Sequence, residues 1–390
     1  GQKLARGEGS ITCEVHATVS GTVLSLDPMP ELFGNDLPVI RIENDGKMEV
    51  DPTLAPRTAE DLAAFVEDLH ESGIVGLGGA AFPVDWKFDA ALRHNVKTML
   101  INGAECEPYV TSDNRMMLDH GEDIRRGIEL LRKYVKPDNF VFAIENNKPH
   151  AIAAMKELFA DDPTMSFVEL PSSYPQGAKQ MILYNALGKV VYAGQRFATL
   201  GVIIINVSTL AKVAKFMDTG MPLVDRVVTV DGSAIKEPKN LLVPIGTPYR
   251  YLVEAAGGLK CEPGRVVNGG PMMGHAVPSL DYPVLKTTSS VLVFSEADSV
   301  IHEPTPCIHC GRCVSHCPMN LNPTAFSDDL EEENGDKRAL LLDRDHVNFC
   351  IECGSCSYIC PAHRPLAENN RAAKKYLKKY KADHAEGGKK

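Results

Sequence analysis

Apolar residues recur along this chain with two periods, and the order of those periods sets the expected architecture. Between Thr58 and Glu71 the residues Leu62, Phe65, Val66 and Leu69 fall on one helical face, and Gly73 follows as a stop signal. Strand-sized apolar runs come next, at Thr98–Ile101, Phe140–Glu145, Ser166–Leu170 and Gly201–Asn206. Helical segments lie between and after them, from about Gly121 to Tyr134 and at Pro149–Phe159, Lys179–Leu187 and Thr209–Asp218. This βαβ alternation predicts an α/β sheet with parallel strands. Residues 1–45 instead read as short strands, Ile11–Val15 and then Thr18–Leu26, with a turn at Ser20-Gly21. From Arg226 to about Val293 the texture is again different: short strands, turns at Pro238, Pro244 and Pro248, and one helix at Tyr249–Ala256, as in a small β-grasp module. Residues 300–306 read as a linker. The last twenty residues are Lys-rich and amphipathic, the pattern of a solvated helix end. The expected divisions are 1–50, 51–222, 223–298, 299–370 and a tail at 371–390.

Composition narrows the classes. With 390 residues, 44% apolar and 24% charged, the chain has material for several cores. A net charge of −10 argues against nucleic acid as a partner, because phosphate would be repelled. No apolar run approaches the roughly eighteen residues of a membrane span. The first residue is Gly1, inside what reads as a partial domain, so residues are expected to precede it. Eight of the 11 cysteines fall in two tight groups, with Cys13, Cys106 and Cys261 scattered. Clustered cysteines in a large acidic chain indicate metal ligation in a reducing compartment, the cytosol, and not a disulfide scaffold.

The groups are Cys307-x-x-Cys310-x-x-Cys313-x-x-x-Cys317-Pro318 and Cys350-x-x-Cys353-x-x-Cys356-x-x-x-Cys360-Pro361. Each has the spacing of a bacterial [4Fe–4S] ferredoxin, in which the fourth cysteine of one run ligates the other cluster. Cys307, Cys310, Cys313 and Cys360 are therefore expected around one cluster, and Cys350, Cys353, Cys356 and Cys317 around its twin. Gly311 and Gly354 suit the tight turns. Ile308, Val314, Ile351 and Ile359 are expected to shield the clusters, while His309 and His316 are surplus to four thiolates. A zinc site would use one four-ligand set, usually two separated pairs, and leaves two complete runs unexplained.

The second unusual stretch is Gly73 to Lys87, with Gly76, Gly78 and Gly79 ahead of Phe82-Pro83 and Lys87. Glycines here let backbone N–H groups approach a phosphate, although the spacing is not the dinucleotide fingerprint and a plain turn reads equally well. Asn102, Glu105 and Glu107 follow an expected strand, where α/β sheets place ligand loops. Cys106 lies among them without a His partner and reads as packing.

These segments resemble the flavin and NADH loops of the NADH-binding subunit of respiratory complex I, down to Asn102-x-x-Glu105-x-Glu107-Pro108. Leu77 stands where that subunit often has a basic residue between the glycines, and the subunit's single-cluster motif is replaced by the ferredoxin pair. The module with Asn268-Gly-Gly-Pro-Met-Met-Gly274 resembles the SLBB-type β-grasp domain that follows there, and residues 1–23 resemble a lipoyl-type barrel sandwich. The complete order, together with Tyr174-Pro-Gln-Gly177-Ala-Lys179-Gln180 and the second cysteine run, is similar to the RnfC family, the electron-input subunit of the ion-pumping Rnf complex. That resemblance implies a multidomain α/β protein: partial barrel sandwich, α/β FMN/NADH-binding domain, β-grasp domain, and a C-terminal 2[4Fe–4S] ferredoxin-like domain. It implies FMN held by Gly76, Gly78, Gly79, Lys87, Asn102, Glu105, Glu107, Asn206 and Thr209, with Tyr174 and Gly177 nearby. It also implies two [4Fe–4S] clusters and NAD(H) as substrate. Lys87 would stabilise the reduced flavin, and Glu105 or Glu107 would orient the nicotinamide or its ribose. Expected partners are the other Rnf subunits, membrane-embedded and ferredoxin-like, at the cytoplasmic face of the bacterial inner membrane. A microcompartment cobalamin reductase with the same layout, a flavin-free electron adaptor and a zinc-stabilised scaffold remain open at this point.

Overall fold

Four parallel strands organise the first of two units, which divide between Ser299 and Val300. The structure is a computed structural model that describes residues 1–385 apart from positions 10, 31–35, 80 and 193–194. Thr98–Gly103 pairs with Asn139–Glu145 on one side and Val202–Asn206 on the other, and Met165–Leu170 forms the edge beyond Asn139–Glu145. Alternate residues enter opposite cores. Met99, Ile101, Phe140, Phe142, Ile203 and Ile205 face the helices Leu62–Glu71, Gly121–Tyr134 and Val207–Thr219. Leu100, Val141, Ala143, Val202 and Ile204 face Ile182 and Leu183 of the helix Lys179–Leu187. Both faces are covered, so the strands read as continuous apolar runs and not as alternating ones.

Two α-helices of this first unit escape the periodicity reading. Val84–Arg93 follows Phe82-Pro83 directly and buries only Val84, Asp85 and Phe88, too short a stripe to register. Ser112–Asp119 has no side-chain cap from its own N-cap residue Thr111. The expected strand Ile11–Val15 also differs: pairing begins only at Val15–His16, against Lys3–Ala5, and Ile11 is exposed with no burial to demand a strand. A second ribbon, Gly21–Pro30 with Asp36–Asn44, completes the partial barrel sandwich.

The β-grasp sheet has the order Lys239–Pro244, Asp225–Asp231, Ser290–Ser295, Pro263–Asn268, His275–Val277. Asp225–Asp231 and Ser290–Ser295 run parallel, and the other pairs are antiparallel. The helix Tyr249–Ala255 packs Tyr249, Leu252 and Val253 into its core. This sheet is tied to the parallel one: the Thr111 N–H donates to Thr229 Oγ1 at 3.0 Å.

In the second unit, two short helices, Arg312–Ser315 and Ser355–Tyr358, each start from a glycine with positive φ, Gly311 at 71° and Gly354 at 79°. Only glycine takes up that left-handed turn without strain. His309 and Glu352, and Asn320 and His363, also share positive φ at matching places in the two halves. The duplicated sequence is thus a duplicated backbone. The Lys-rich stretch is not a separate tail through Ala385. It belongs to the 20-residue helix Leu366–Ala385, whose Ala373 and Leu377 are buried against Phe326, Ala339, Leu342 and Val347. Lys375, Lys378, Lys379 and Lys381 occupy its outer face, which hides this apolar stripe from a composition-based reading. Leu377→Ala should therefore lower the stability of this unit by about 2–4 kcal/mol in denaturant melts, whereas Lys379→Ala on the exposed face should change it by no more than about 0.5 kcal/mol. Equal melts for the two variants would mean that the helix does not pack.

Candidate cofactor sites

The glycine-rich segment is a closed loop. Val75 bridges Pro83, and the Gly76 N–H donates to Phe82 O at 2.9 Å. The loop rests on the N-terminus of the helix Val207–Thr219. Leu77 N–H donates to Thr209 Oγ1 at 2.9 Å, and a Cβ on Gly78 would stand 2.6 Å from Asn206 Nδ2. Any side chain at 78 would push the loop off that helix. Gly79, at φ 149°, has nothing within 4 Å of the position its Cβ would take, so this part of the loop opens outward.

Asn206 and Thr209 sit directly behind the glycine loop. Their polar atoms are spent on the loop and on each other: Asn206 Oδ1 accepts from the Thr209 N–H, and Asn206 Nδ2 donates to Asp113 Oδ2 at 2.6 Å. They support the glycines from behind. Asp113, buried, also accepts from Ser208 Oγ, and burial raises its carboxyl above the ordinary range, with the Arg226 guanidinium opposing. Arg226 comes from the first strand of the β-grasp domain, is 3% exposed, and donates to Leu77 O at 3.2 Å.

Glu105 and Glu107 are likewise engaged by protein donors. Glu105 Oε1 accepts from the Asp113 N–H at 2.7 Å and from Ser112 Oγ, and Oε2 accepts from the Asn114 N–H. It is the missing cap of the helix Ser112–Asp119, and burial beside Asp113 raises its pKa. Its own N–H is held by Glu145 Oε2, at the end of the neighbouring strand. Glu107 accepts from the Met272 and Met273 N–H groups at 3.0 and 2.9 Å, and from Tyr174 Oη at 3.4 Å. It fastens the β-grasp loop 268–274 to the strand ends. Asn102 donates to Gly177 O at 3.2 Å, and the Gly177 N–H reaches Cys106 Sγ at 3.4 Å. Burial pushes the Cys106 thiol up to about 11, which leaves it inert. Asn102, Glu105, Glu107, Tyr174 and Gly177 thus form one connected wall beyond the carboxyl ends of the parallel strands.

Lys87 lies, half-buried, in the helix Val84–Arg93 that leaves the glycine loop. Burial, with Lys179 next in effect, pulls its pKa down to about 7, and no acceptor is bonded to it among the described residues. Burial lowers the pKa of Lys179 as well. Half-buried Lys87 and exposed Lys179, near each other and without a counter-ion among the described residues, together with the open glycine loop, form a donor set that fits an anionic, phosphate-bearing cofactor such as FMN. Periodicity does not single out Lys179, Asp113, Ser208, Glu145 or Arg226. The cue for Ser208 and Glu145 is their place at or just past strand ends.

The cysteines surround two cavities. One is lined by Cys307, Cys310, Cys313 and Cys360, the other by Cys350, Cys353, Cys356 and Cys317. Each takes three sulfurs from one run and the fourth from the other. The His309 and Glu352 N–H groups donate to Cys307 and Cys350 Sγ, both at 3.4 Å. Among the described residues no three His, Cys, Asp or Glu side chains converge tightly enough for a single metal ion. The thiols stand around a space instead, as a cubane requires. The shielding expectation needs correction at the first cavity: Ile308 is 65% exposed and Val314 41%. Ile351, half-buried, lines the second. His309 and His316 are exposed.

Fold and sites together define a flavin- and iron–sulfur-containing electron-transfer protein. Family models match along most of the chain: the RnfC barrel sandwich hybrid domain at residues 1–47, the Nuo51 FMN-binding domain at 69–215, the SLBB domain at 227–276 and the 4Fe-4S dicluster domain at 299–361. Over 380 residues the chain is 36% identical to the C subunit of the proton-translocating ferredoxin:NAD(+) oxidoreductase complex of Clostridium ljungdahlii, covering 96% of this chain and 83% of that one. It is 38% identical over 340 residues to the Na(+)-translocating counterpart of Acetobacterium woodii, covering 86% and 77%. Among solved structures, the NAD+-reducing [NiFe]-hydrogenase in its air-oxidized state shares the fold at TM-score 0.53 and 18% identity. That match covers 82% of this chain but only 54% of the hydrogenase chain. The chain belongs to the RnfC family of ferredoxin:NAD+ oxidoreductase complexes.

If the cofactor's anion rests on Lys87, FMN binding should depend on pH. In the free protein the ammonium loses its proton above about pH 7, and a bound anion raises that value. Binding should therefore take up a proton above pH 7 and weaken as pH rises further. Calorimetry in buffers of different ionisation heat should show this uptake at pH 8, and Lys87→Met should abolish it and weaken FMN binding about tenfold or more. Unchanged uptake in the variant would place the anion elsewhere.

Proposed function

We propose that this chain is the NAD-facing electron-transfer subunit of an ion-translocating ferredoxin:NAD+ oxidoreductase complex, peripheral to the membrane on its cytoplasmic side. The observation that carries the reading is the crossed pair of four-cysteine cavities in the same chain as an open glycine loop set on a helix N-terminus. Bound FMN supplies the conversion between a hydride and single electrons, and two [4Fe–4S] clusters accept electrons one at a time. The protein's part is to hold and to orient. Lys87 and Lys179 offer positive charge to the flavin, and the loop Gly76–Gly79 offers backbone close to it. Glu105 and Glu107 act as positioning residues: one keeps the helix Ser112–Asp119 in place, the other keeps the β-grasp loop beside Tyr174. Nothing in this arrangement requires a nucleophile or an acid–base triad. Among the described residues no helix is long and apolar enough to cross a membrane, so attachment falls to partner subunits, membrane-embedded and ferredoxin-like. The relatives' names support this reading over a cobalamin reductase.

Anaerobic reconstitution with iron, sulfide and FMN, followed by titration with NADH, tests it. Flavin absorbance should bleach first and cluster absorbance should follow. Flavin that binds and does not bleach would contradict the assignment of NADH as donor, and a tightly bound corrinoid would favour the reductase. The crossed ligation makes a separate prediction: Cys360→Ser should abolish the cluster of the first run, leaving about half the iron and sulfide and one electron paramagnetic resonance signal. Full iron content in that variant would refute the crossing.

A further inference from the structure

The two cysteine runs share backbone geometry and the same N–H···S contact at their first cysteines, so any difference between their cavities comes from side chains. The largest such difference is Asn370. It lies on the helix Leu366–Ala385, is 1% exposed, and lines the second cavity. Its Nδ2 lies 3.6 Å from Cys350 Sγ and 3.9 Å from Cys356 Sγ. A thiolate only accepts, so the amide must turn its N–H group toward the sulfurs; the reverse orientation would set Oδ1 against them. That choice leaves Oδ1 buried without a partner. An unsatisfied buried oxygen is costly, and a leucine would fill the space without that cost. One turn along the helix, Lys374 Nζ donates to Cys350 O at 2.9 Å.

The first cavity has no buried side-chain N–H bonded to a cysteine sulfur among its described lining residues; the half-buried Arg364 lines it but makes no such bond. Asn322 and Thr324 reach it, but Thr324 Oγ1 donates to Asn322 Oδ1 at 2.7 Å, and the same oxygen caps the Ala325 N–H. The His309 ring is 4.0 Å from Cys307 Sγ and stands in solvent.

We propose that Asn370 raises the reduction potential of the cluster held by Cys317, Cys350, Cys353 and Cys356, so that the two clusters of this chain are electronically unequal. The inference rests on the reading that both cavities hold [4Fe–4S] clusters. Reduction adds one electron to a cluster already surrounded by thiolate charge. N–H dipoles aimed at its sulfurs stabilise the reduced form more than the oxidised one. The effect is strong for Asn370 because the amide is buried, where the local dielectric is low, and weak for a histidine in water.

The test is an anaerobic redox titration of the reconstituted full chain, followed by electron paramagnetic resonance. Wild type should show two separable one-electron steps. Asn370→Leu should move one step to lower potential and leave the other in place, at full iron and sulfide content. Asn370→Asp, of the same shape but with an acceptor in place of the donor, should move that step in the same direction and by more. It serves as the deciding variant if the leucine protein fails to load. Unmoved steps in a fully loaded variant, or equal shifts of both, would overturn the proposal. A wild-type protein that loads no clusters would overturn the cluster assignment itself, and this inference with it.

Discussion

A carboxylate shut away from water has to be answered by donors, and Asp113 is answered from three directions. Asn206 and Ser208 donate to its two oxygens from the start of the helix Val207–Thr219, and Arg226 opposes its charge from the β-grasp domain. Its own N–H is held by Glu105. The remaining geometry of the flavin domain follows from these contacts. With Asn206 fixed, Thr209 is fixed through its N–H, and Thr209 receives Leu77. The glycine loop is thereby pinned to a helix N-terminus with its open side outward. The breaking of one such bond costs about 1–3 kcal/mol, because the partner left behind is buried and unpaired.

The same logic explains why the carboxylates of this site are engaged by protein donors. FMN and iron–sulfur clusters carry the chemistry, so the polypeptide needs shape, backbone donors and positive charge more than it needs an acid or a base. Glu105 and Glu107 provide shape. Each accepts from backbone N–H groups, buried ones at a helix start for Glu105 and the more exposed turn of Met272 and Met273 for Glu107. Because Glu107 and Arg226 both join the β-grasp domain to the flavin domain, the two form one working unit. A disturbance in either is felt at the loop.

The sequence makes some of this legible and hides the rest for physical reasons. Ligand spacing is local, so the cysteine runs can be read directly, and the crossed sharing of their fourth members is expected from the bacterial ferredoxin pattern that spacing follows. Parallel strands buried on both faces announce themselves as apolar runs, and Phe140–Glu145 stands out accordingly. The residue types at the glycine loop are legible too, but their tasks are not. Whether Asn206 touches a cofactor or a neighbouring loop depends on Gly78 and Asp113, which are far away in the chain. The helix Ser112–Asp119 is hidden because its cap, Glu105, lies outside it. Asn370 escapes notice because it is no cysteine and lies at the very end of the expected ferredoxin-like division, and nothing local shows that the helix begun at Leu366 turns it toward Cys350 and Cys356.

The most direct measurement is the dissociation constant of FMN in Asp113→Asn, alongside circular dichroism to show that the fold persists. The replacement keeps the shape of the side chain, but it sets an amide N–H against Asn206 Nδ2 or removes the acceptor for Ser208. If Asp113 anchors the loop, FMN should bind at least about tenfold more weakly while the domain stays folded. Undiminished affinity in a folded protein would contradict the account and mean that the loop holds its shape without the buried carboxylate.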